Sequence, residues 1–296
     1  MFNTLQTRLV ITGRLMTESP LRIGTNRGAE PVGAELAALR NTSGEPFIPG
    51  SSLKGVLRSY LESILRAWYD SPFCACNPVV EDDLCVVAGR KKLQEPQWHY
   101  PQRQLPSKPI GLEDLRQGLE NTPEAELTFN NRLVDNLCLI CQVFGSPWLA
   151  SHVRVTDLPV ETDAWVGQFE VRDGVAIDRD KGTAASGMLY DYEVVPAGTP
   201  FTLNIVGENL VPWQAGLVWL GIRALAQGDL AVGGFTSRGL GWVKLVAFEA
   251  RYFDVADLMP LLAGGNIGAL VTDEQARSWV QALRNRVKQL EEVAHA

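Results

Sequence analysis

The stretch that most constrains the fold is PFIPGSSLKGVLRSYLESILRAW, residues 46–68. Pro49 and Gly50 end a short strand, and apolar side chains then recur at steps of three and four residues, which is the spacing of one helix face. These side chains are Leu53, Val56, Leu57, Tyr60, Leu61, Ile64, Leu65 and Trp68. The pattern predicts a strand end followed by a helix of about four turns that packs on a core.

The start of this helix is basic. Ser51 or Ser52 can cap the helix by accepting a hydrogen bond from its first turn, and Lys54 and Arg58 lie off the apolar stripe, one turn apart. Unpaired N–H groups, hydroxyls and a lysine together suit a phosphate. The same residues also fit a capped core helix with a solvated basic edge, so both interpretations stay open here.

Composition limits where a nucleic acid could bind. The 296 residues carry a net charge of −7, so any RNA site must be a local basic groove on an acidic body. A hydrophobic fraction of 46% and a charged fraction of 21% are typical of globular proteins. The sequence has no run of eighteen apolar residues and no signal-peptide core at its start, so we expect a cytoplasmic protein that does not interact with membranes.

The five cysteines favour a metal site over disulfides, because their number is odd, two form a CxxC, and no secretion signal precedes them. Cys138 and Cys141 can hold one tetrahedral zinc ion. The other ligands would come from Cys74, Cys76 and Cys85, with His99 in reserve. Four thiolates leave no position for water, so the site would be structural. Buried free cysteines are the alternative.

The order of the predicted elements is that of a βαββαβ fold. Strand patterns at 7–23 and 242–253 enclose the other elements. These are the first helix, an irregular insertion, a strand at 152–158, an extended hairpin at 169–192, a turn and strand at 193–206, and an apolar helix at 213–227. This order predicts an α+β protein with an RRM-like, ferredoxin-like palm. We divide the chain into one domain at 1–254, with palm 1–68 and 145–254, insertion 69–144 and thumb hairpin about 169–193, and a helical tail at 255–296.

Two further loops carry positive charge. The glycine-rich loop 233–241 lets the backbone approach a phosphate and contains Arg238, although a simple turn explains it equally well and it matches no P-loop or dinucleotide pattern. At the hairpin, Arg172, Arg179 and Lys181 alternate with acidic residues. That balance indicates a solvated tip, with a phosphate contact by Arg179 as the alternative.

The sequence offers few groups for catalysis. Its three histidines, His99, His152 and His295, have no serine or cysteine in a triad context, which argues against acyl transfer. Glu35, before the basic helix, could hold a divalent ion or act as a general base beside a phosphodiester. A surface glutamate is the alternative.

Four stretches together resemble the RAMP superfamily of CRISPR-associated proteins, in particular the repeated backbone subunit of type III effector complexes (Csm, Cmr and type III-D). They are LRIGTNRG, EPFIPGSSLKGVLRSYLE, LCLICQVFGS, and VAIDRDKGTAASGMLYDYEVVPAGTPF followed by GGFTSRGLGWVKL. The resemblance implies an RRM-like palm, a thumb hairpin and a zinc-bearing insertion. It also implies antiviral defence in a complex with guide CRISPR RNA, complementary target RNA and other RAMP subunits.

The resemblance implies a role for each basic element. The helix start would hold guide phosphates, the glycine loop would line the same groove, and the thumb would cross the guide–target duplex. The residues that we assign to RNA binding are Arg22, Arg27, Arg40, Ser51, Ser52, Lys54, Arg58, Arg172, Arg179, Lys181 and Arg238. Contacts of this kind go to the RNA backbone, because base pairing reads the sequence.

The resemblance also bears on catalysis. Target-cleaving members of the superfamily carry an aspartate before the PxIPGSS element and cut target RNA as metal-dependent endonucleases, with Mg²⁺ or Mn²⁺. Glu35 occupies the matching position here, or Ala34 if the match shifts by one residue. Glutamate reaches one methylene further, so slow or absent cleavage is the alternative. Two rival functions remain. A guide-processing endonuclease would require a histidine or tyrosine near the glycine loop, and none of the three histidines lies there. The other rival is a zinc-stabilised scaffold without an RNA role.

Overall fold

The computed structural model describes residues 4–24, 36–68, 74–78, 84–88, 110–119, 122–178, 180–254 and 268–294. In chain order its elements are β1 (Thr7–Thr17), β2 (Phe47–Ile48), α1 (Gly50–Trp68), β3 (Val86–Val87), β4 (Ile110–Gly111), α2 (Leu112–Arg116), α3 (Pro123–Asn136), α4 (Leu139–Phe144), β5 (Val153–Val155), β6 (Leu158–Pro159), β7 (Glu170–Asp178), β8 (Thr183–Val194), β9 (Pro200–Glu208), α5 (Pro212–Gln227), β10 (Leu230–Ala231), β11 (Trp242–Asp254), β12 (Ala269–Leu270) and α6 (Asp273–Ala294). The α+β class predicted from the sequence is confirmed.

The main sheet is antiparallel and has the order β10-β11-β1-β9-β5, with β12 added beside β11. Its long central strand β1 buries Leu9, Ile11 and Leu15, which lie on one face because strand side chains alternate. Ile11 lies opposite Ala250 of β11 and Ile205 of β9, so these three strands share one core face. The sheet is therefore the platform that positions the loops between its strands.

Helix α1 buries most of the predicted apolar stripe, since Leu53, Leu57, Leu61 and Leu65 are all within the core. The prediction is wrong for Trp68 at the end of the helix, which is 41% exposed. It approaches α5 closely, since a Cβ on Gly221 would lie 3.0 Å from Leu57. The tail helix α6 packs on α5 through Trp279, Leu283 and Val287, which are buried. The tail therefore packs on the body of its own chain.

The start of α1 differs from the prediction that Ser51 or Ser52 caps it. The helix begins at Gly50, whose N–H donates to Oδ1 of Asp157 at 2.9 Å. The N–H groups of Ser52 and Leu53 both donate to the carbonyl of Pro49. Most N–H groups of the first turn thus have hydrogen-bond acceptors within the protein. The carboxylate of Asp157 lies where a phosphate was expected. The local sequence could not show this, because Asp157 is 107 residues away.

The predicted hairpin is confirmed as the two-stranded antiparallel sheet β7–β8. Tyr190 pairs with Gly174 and Tyr192 with Arg172, so the two tyrosines lie on one face of the hairpin. The ring of Tyr190 crosses Gly174, where an added Cβ would lie 2.3 Å from it. Within the described ranges, no helix combines the length and apolar character that crossing a bilayer requires.

Candidate metal centre and nucleic-acid interface

Four cysteines converge beneath α1. The sulfur atoms of Cys76, Cys85, Cys138 and Cys141 all lie within 4.8 Å of one another, and those of Cys76 and Cys141 are 3.5 Å apart. Zinc–sulfur bonds of about 2.3 Å in a tetrahedron place sulfurs about 3.8 Å apart, so these four fit a metal ion such as zinc. Cys74 is buried but is not one of the four, and His99 lies outside the described residues.

The backbone organises this cysteine cluster (Cys76, Cys85, Cys138 and Cys141). Cys138 and Cys141 flank the first turn of α4, and the Cys138 sulfur accepts from the N–H groups of Cys141 and Cys76, both at 3.4 Å. Cys76 and Cys85 lie in the segments 74–78 and 84–88, between α1 and β4. The cluster therefore ties these two segments to α4, as expected for a structural metal site.

The thiols compete for negative charge. The hydrogen bond with Cys138 lowers the pKa of Cys76, whereas the hydrogen bond with Cys141 raises the pKa of Cys138 well above its ordinary value. Because sulfurs this close repel one another when ionised, a divalent cation is what would allow all four to be thiolates at once.

Arg58, which the sequence assigned to RNA, has partners inside the protein. Its guanidinium donates to the Cys141 sulfur at 3.4 Å, to the Gly145 carbonyl at 3.0 Å and to Glu62 at 2.8 Å. One turn earlier, Lys54 is half-buried. Burial, and then the charge of Arg58, lower the pKa of Lys54. Ser51 is exposed and Ser52 partly so.

A second group of predicted residues meets where the glycine loop reaches the hairpin. The guanidinium groups of Arg22 and Arg238 lie over the ring of Phe235, at 4.7 and 4.6 Å from its centroid. Tyr192 packs edge-on against the same ring at 5.1 Å, and Arg238 donates to the hydroxyl of Tyr190. We call these five residues the arginine–aromatic cluster. It offers cations and flat rings together, which suit a nucleic-acid strand.

The glycine loop is shaped by its own chain. Gly233 has φ +88° and an added Cβ would lie 2.2 Å from the Arg22 carbonyl, which also accepts from the N–H of Gly234 at 2.8 Å. Phe235 follows with φ 62°, an uncommon value for a residue with a side chain. The close approach that the sequence assigned to a phosphate is made, at Gly233, by the backbone of residue 22.

The other predicted residues are dispersed. Arg40 stacks on Phe169 at 4.1 Å and pairs with Glu193 at the hairpin base, and Arg172 pairs with Glu170 at 3.0 Å. Lys181 is exposed near the hairpin tip. The predictions for Glu35, Arg27 and Arg179 lie outside the described residues. Leu36, which follows Glu35 in sequence, pairs with the backbone of β8.

Two sets of residues in these sites were not predicted from the sequence. The aromatic members of the cluster, Tyr190, Tyr192 and Phe235, carried a partial signal, since alternate tyrosines in a strand share a face. The charged residues Glu62 and Arg66 also escaped notice, although Arg58, Glu62 and Arg66 follow the four-residue spacing of helix ion pairs.

A family model, described as RAMP superfamily, matches residues 14–244. The chain therefore belongs to the RAMP superfamily, which supports a CRISPR-associated role. RAMP proteins generally function in RNA-binding CRISPR complexes with other subunits. No curated protein matches the chain at a significant level.

Proposed function

We propose that this chain is a guide-RNA-binding backbone subunit of a type III CRISPR interference complex that defends against foreign nucleic acid. The observation that carries the proposal is the arginine–aromatic cluster. It sets two guanidinium groups and three rings at the junction of hairpin and glycine loop, on a chain of net charge −7. Local cations can bind phosphates while the acidic remainder repels non-specific RNA.

The proposed palm is the ferredoxin-like βαββαβ unit, formed by β1, α1, β5, β9, α5 and β11. Their order along the chain and their sheet order, β11-β1-β9-β5, support that reading. The hairpin β7–β8 would be the thumb, and Lys54 would add a phosphate contact at the start of α1. The cysteine cluster would hold one structural zinc ion.

The RNA proposal is tested with two double variants that remove the same charge. Arg22→Ala with Arg238→Ala takes both cations from Phe235. The control, Arg14→Ala with Arg154→Ala, breaks the ion pairs with Glu161 and Glu208, which include no residue of the cluster. Affinity for a single-stranded guide RNA is measured at several salt concentrations.

We expect the first variant to bind more weakly and to lower the slope of log K against log salt by about 1.4, the value for two phosphate contacts on a single strand. The control should retain the wild-type slope. Equal losses in both variants would mean that the cluster is no more than general surface charge, and equal retention would contradict RNA binding there.

Target cleavage through Glu35 with Mg²⁺ or Mn²⁺ is the finer part of the proposal. The assembled, guide-loaded complex is incubated with complementary RNA, using wild-type protein and Glu35→Ala. Cleavage that disappears in the variant while guide binding survives supports the nuclease. An uncut target with wild-type protein assigns the chain a structural role in the complex.

A further inference from the structure

Three charged residues of α1, each one turn from the next, face the cysteine cluster: Arg58, Glu62 and Arg66. The side chain of Glu62, the middle residue, is only 9% exposed. It accepts from Arg58 at 2.8 Å on one oxygen and from Arg66 at 3.4 Å on the other. A buried carboxylate between two guanidinium groups fixes the direction in which both arginines point.

Each arginine then reaches a different cysteine-bearing segment. Arg58 donates to the sulfur of Cys141 and to the carbonyl of Gly145, which lie at the two ends of the last turn of α4. Arg66 donates to the carbonyl of Cys76 at 2.7 Å and to that of Ala75 at 3.4 Å. Helix α1 is therefore hydrogen-bonded to both halves of the site, one supplied by the segment 74–78 and the other by α4.

The charge of the site explains why arginine is needed there. A divalent ion with four thiolates has a net charge of −2, and an uncompensated buried charge is unfavourable. Arginine stays protonated at all relevant pH values and offers several N–H donors in a fixed plane. Arg58 can therefore neutralise the Cys141 thiolate and hold the Gly145 carbonyl at the same time, which the single ammonium of a lysine does less well.

We propose that Arg58, Glu62 and Arg66 form an outer shell of the metal centre, in which Arg58 is the charge partner of Cys141 and a positioning residue for α4. This assigns Arg58 to metal retention and leaves Lys54 as the RNA-facing cation of the helix start. The inference rests on the proposed zinc site and is independent of the RNA function.

The test measures how tightly the intact chain holds zinc. Zinc-loaded wild type, Arg58→Met and Arg58→Lys are mixed with a chromogenic chelator, and the rate of zinc loss is followed. Methionine keeps an apolar stem without donors, and lysine keeps the charge without the planar fork. Arg14→Met is the matched control, because the Arg14 ion pair with Glu161 includes no residue of the cluster.

Loss of an outer-shell partner usually lowers metal affinity about 10- to 100-fold. We expect zinc loss to accelerate by such a factor in Arg58→Met, by less in Arg58→Lys, and not in Arg14→Met. If Arg58→Met fails to fold, Arg58→Lys against wild type decides the question. Unchanged zinc retention in the Arg58 variants would overturn the proposal, as would the absence of zinc from the wild-type chain.

A second measurement separates metal from RNA. Zinc-loaded Arg58→Met should bind guide RNA with the wild-type affinity. Lys54→Ala should bind guide RNA more weakly and lose zinc at the wild-type rate. A loss of RNA affinity in zinc-loaded Arg58→Met as large as that in Lys54→Ala would return Arg58 to the RNA site. If no variant and no wild-type sample binds RNA, the zinc result stands and only the RNA function fails.

Discussion

Gly233 provides a sharp test of how the glycine loop is held, because Gly239 in the same loop is a matched control. Both have left-handed backbones, with φ +88° and +86°. An added Cβ at Gly239 meets nothing within 4 Å, whereas at Gly233 it would lie 2.2 Å from the Arg22 carbonyl. Alanine at either position carries the same backbone strain, and only Gly233→Ala also displaces Arg22.

The shared strain costs about 1–2 kcal/mol. Gly233→Ala also breaks the hydrogen bond from the Gly234 N–H to the Arg22 carbonyl, and since both residues are partly exposed its loss costs about 0.5–1.5 kcal/mol more. We therefore expect the free energy of unfolding to fall by about 1–2 kcal/mol in Gly239→Ala and by about 1.5–3.5 kcal/mol in Gly233→Ala.

Urea denaturation measures both free energies, and RNA titration of the folded variants measures affinity. Gly233→Ala should also bind guide RNA more weakly than Gly239→Ala, since Arg22 can no longer stack on Phe235 in the same geometry. Equal destabilisation of the two variants would refute the argument that close approach, and not turn geometry alone, requires Gly233.

Two further predictions concern the metal site and a buried histidine. Serine at Cys76, Cys85, Cys138 or Cys141 should abolish retention of about one zinc per chain, whereas Cys74→Ser should keep it, as metal analysis after gel filtration will show; retention in any of the four would remove that residue from the site. Burial lowers the pKa of His152 in the folded chain, whereas in the unfolded chain the histidine keeps its ordinary pKa of about 6.5. The unfolded chain therefore takes up a proton at a higher pH than the folded chain does, and the free energy of unfolding decreases as the pH drops below about 6.5. Urea denaturation at about pH 7.5 and about pH 5.5 should show a smaller loss in His152→Gln than in wild type, and parallel losses would contradict the assignment.

The local periodicity of the sequence was enough to identify the principal elements. The stripe from Leu53 to Trp68 predicted α1 and its buried face, except at the exposed Trp68, because both depend on residues three or four apart. The two strand-like halves about a polar tip predicted the hairpin β7–β8. The cysteine count and the CxxC predicted a metal site, because ligand spacing within one turn is also a local property.

Only the tertiary structure determined which residues that are distant in the chain contact one another. The carboxylate of Asp157 pairs with the start of α1, the cysteine cluster takes Cys76 and Cys85 and leaves out Cys74, and Arg58 donates to Cys141. Each choice depends on the direction in which a side chain points after sheet and helices have packed. A sequence states which groups are present, and only packing brings groups from different elements within hydrogen-bonding distance of one another.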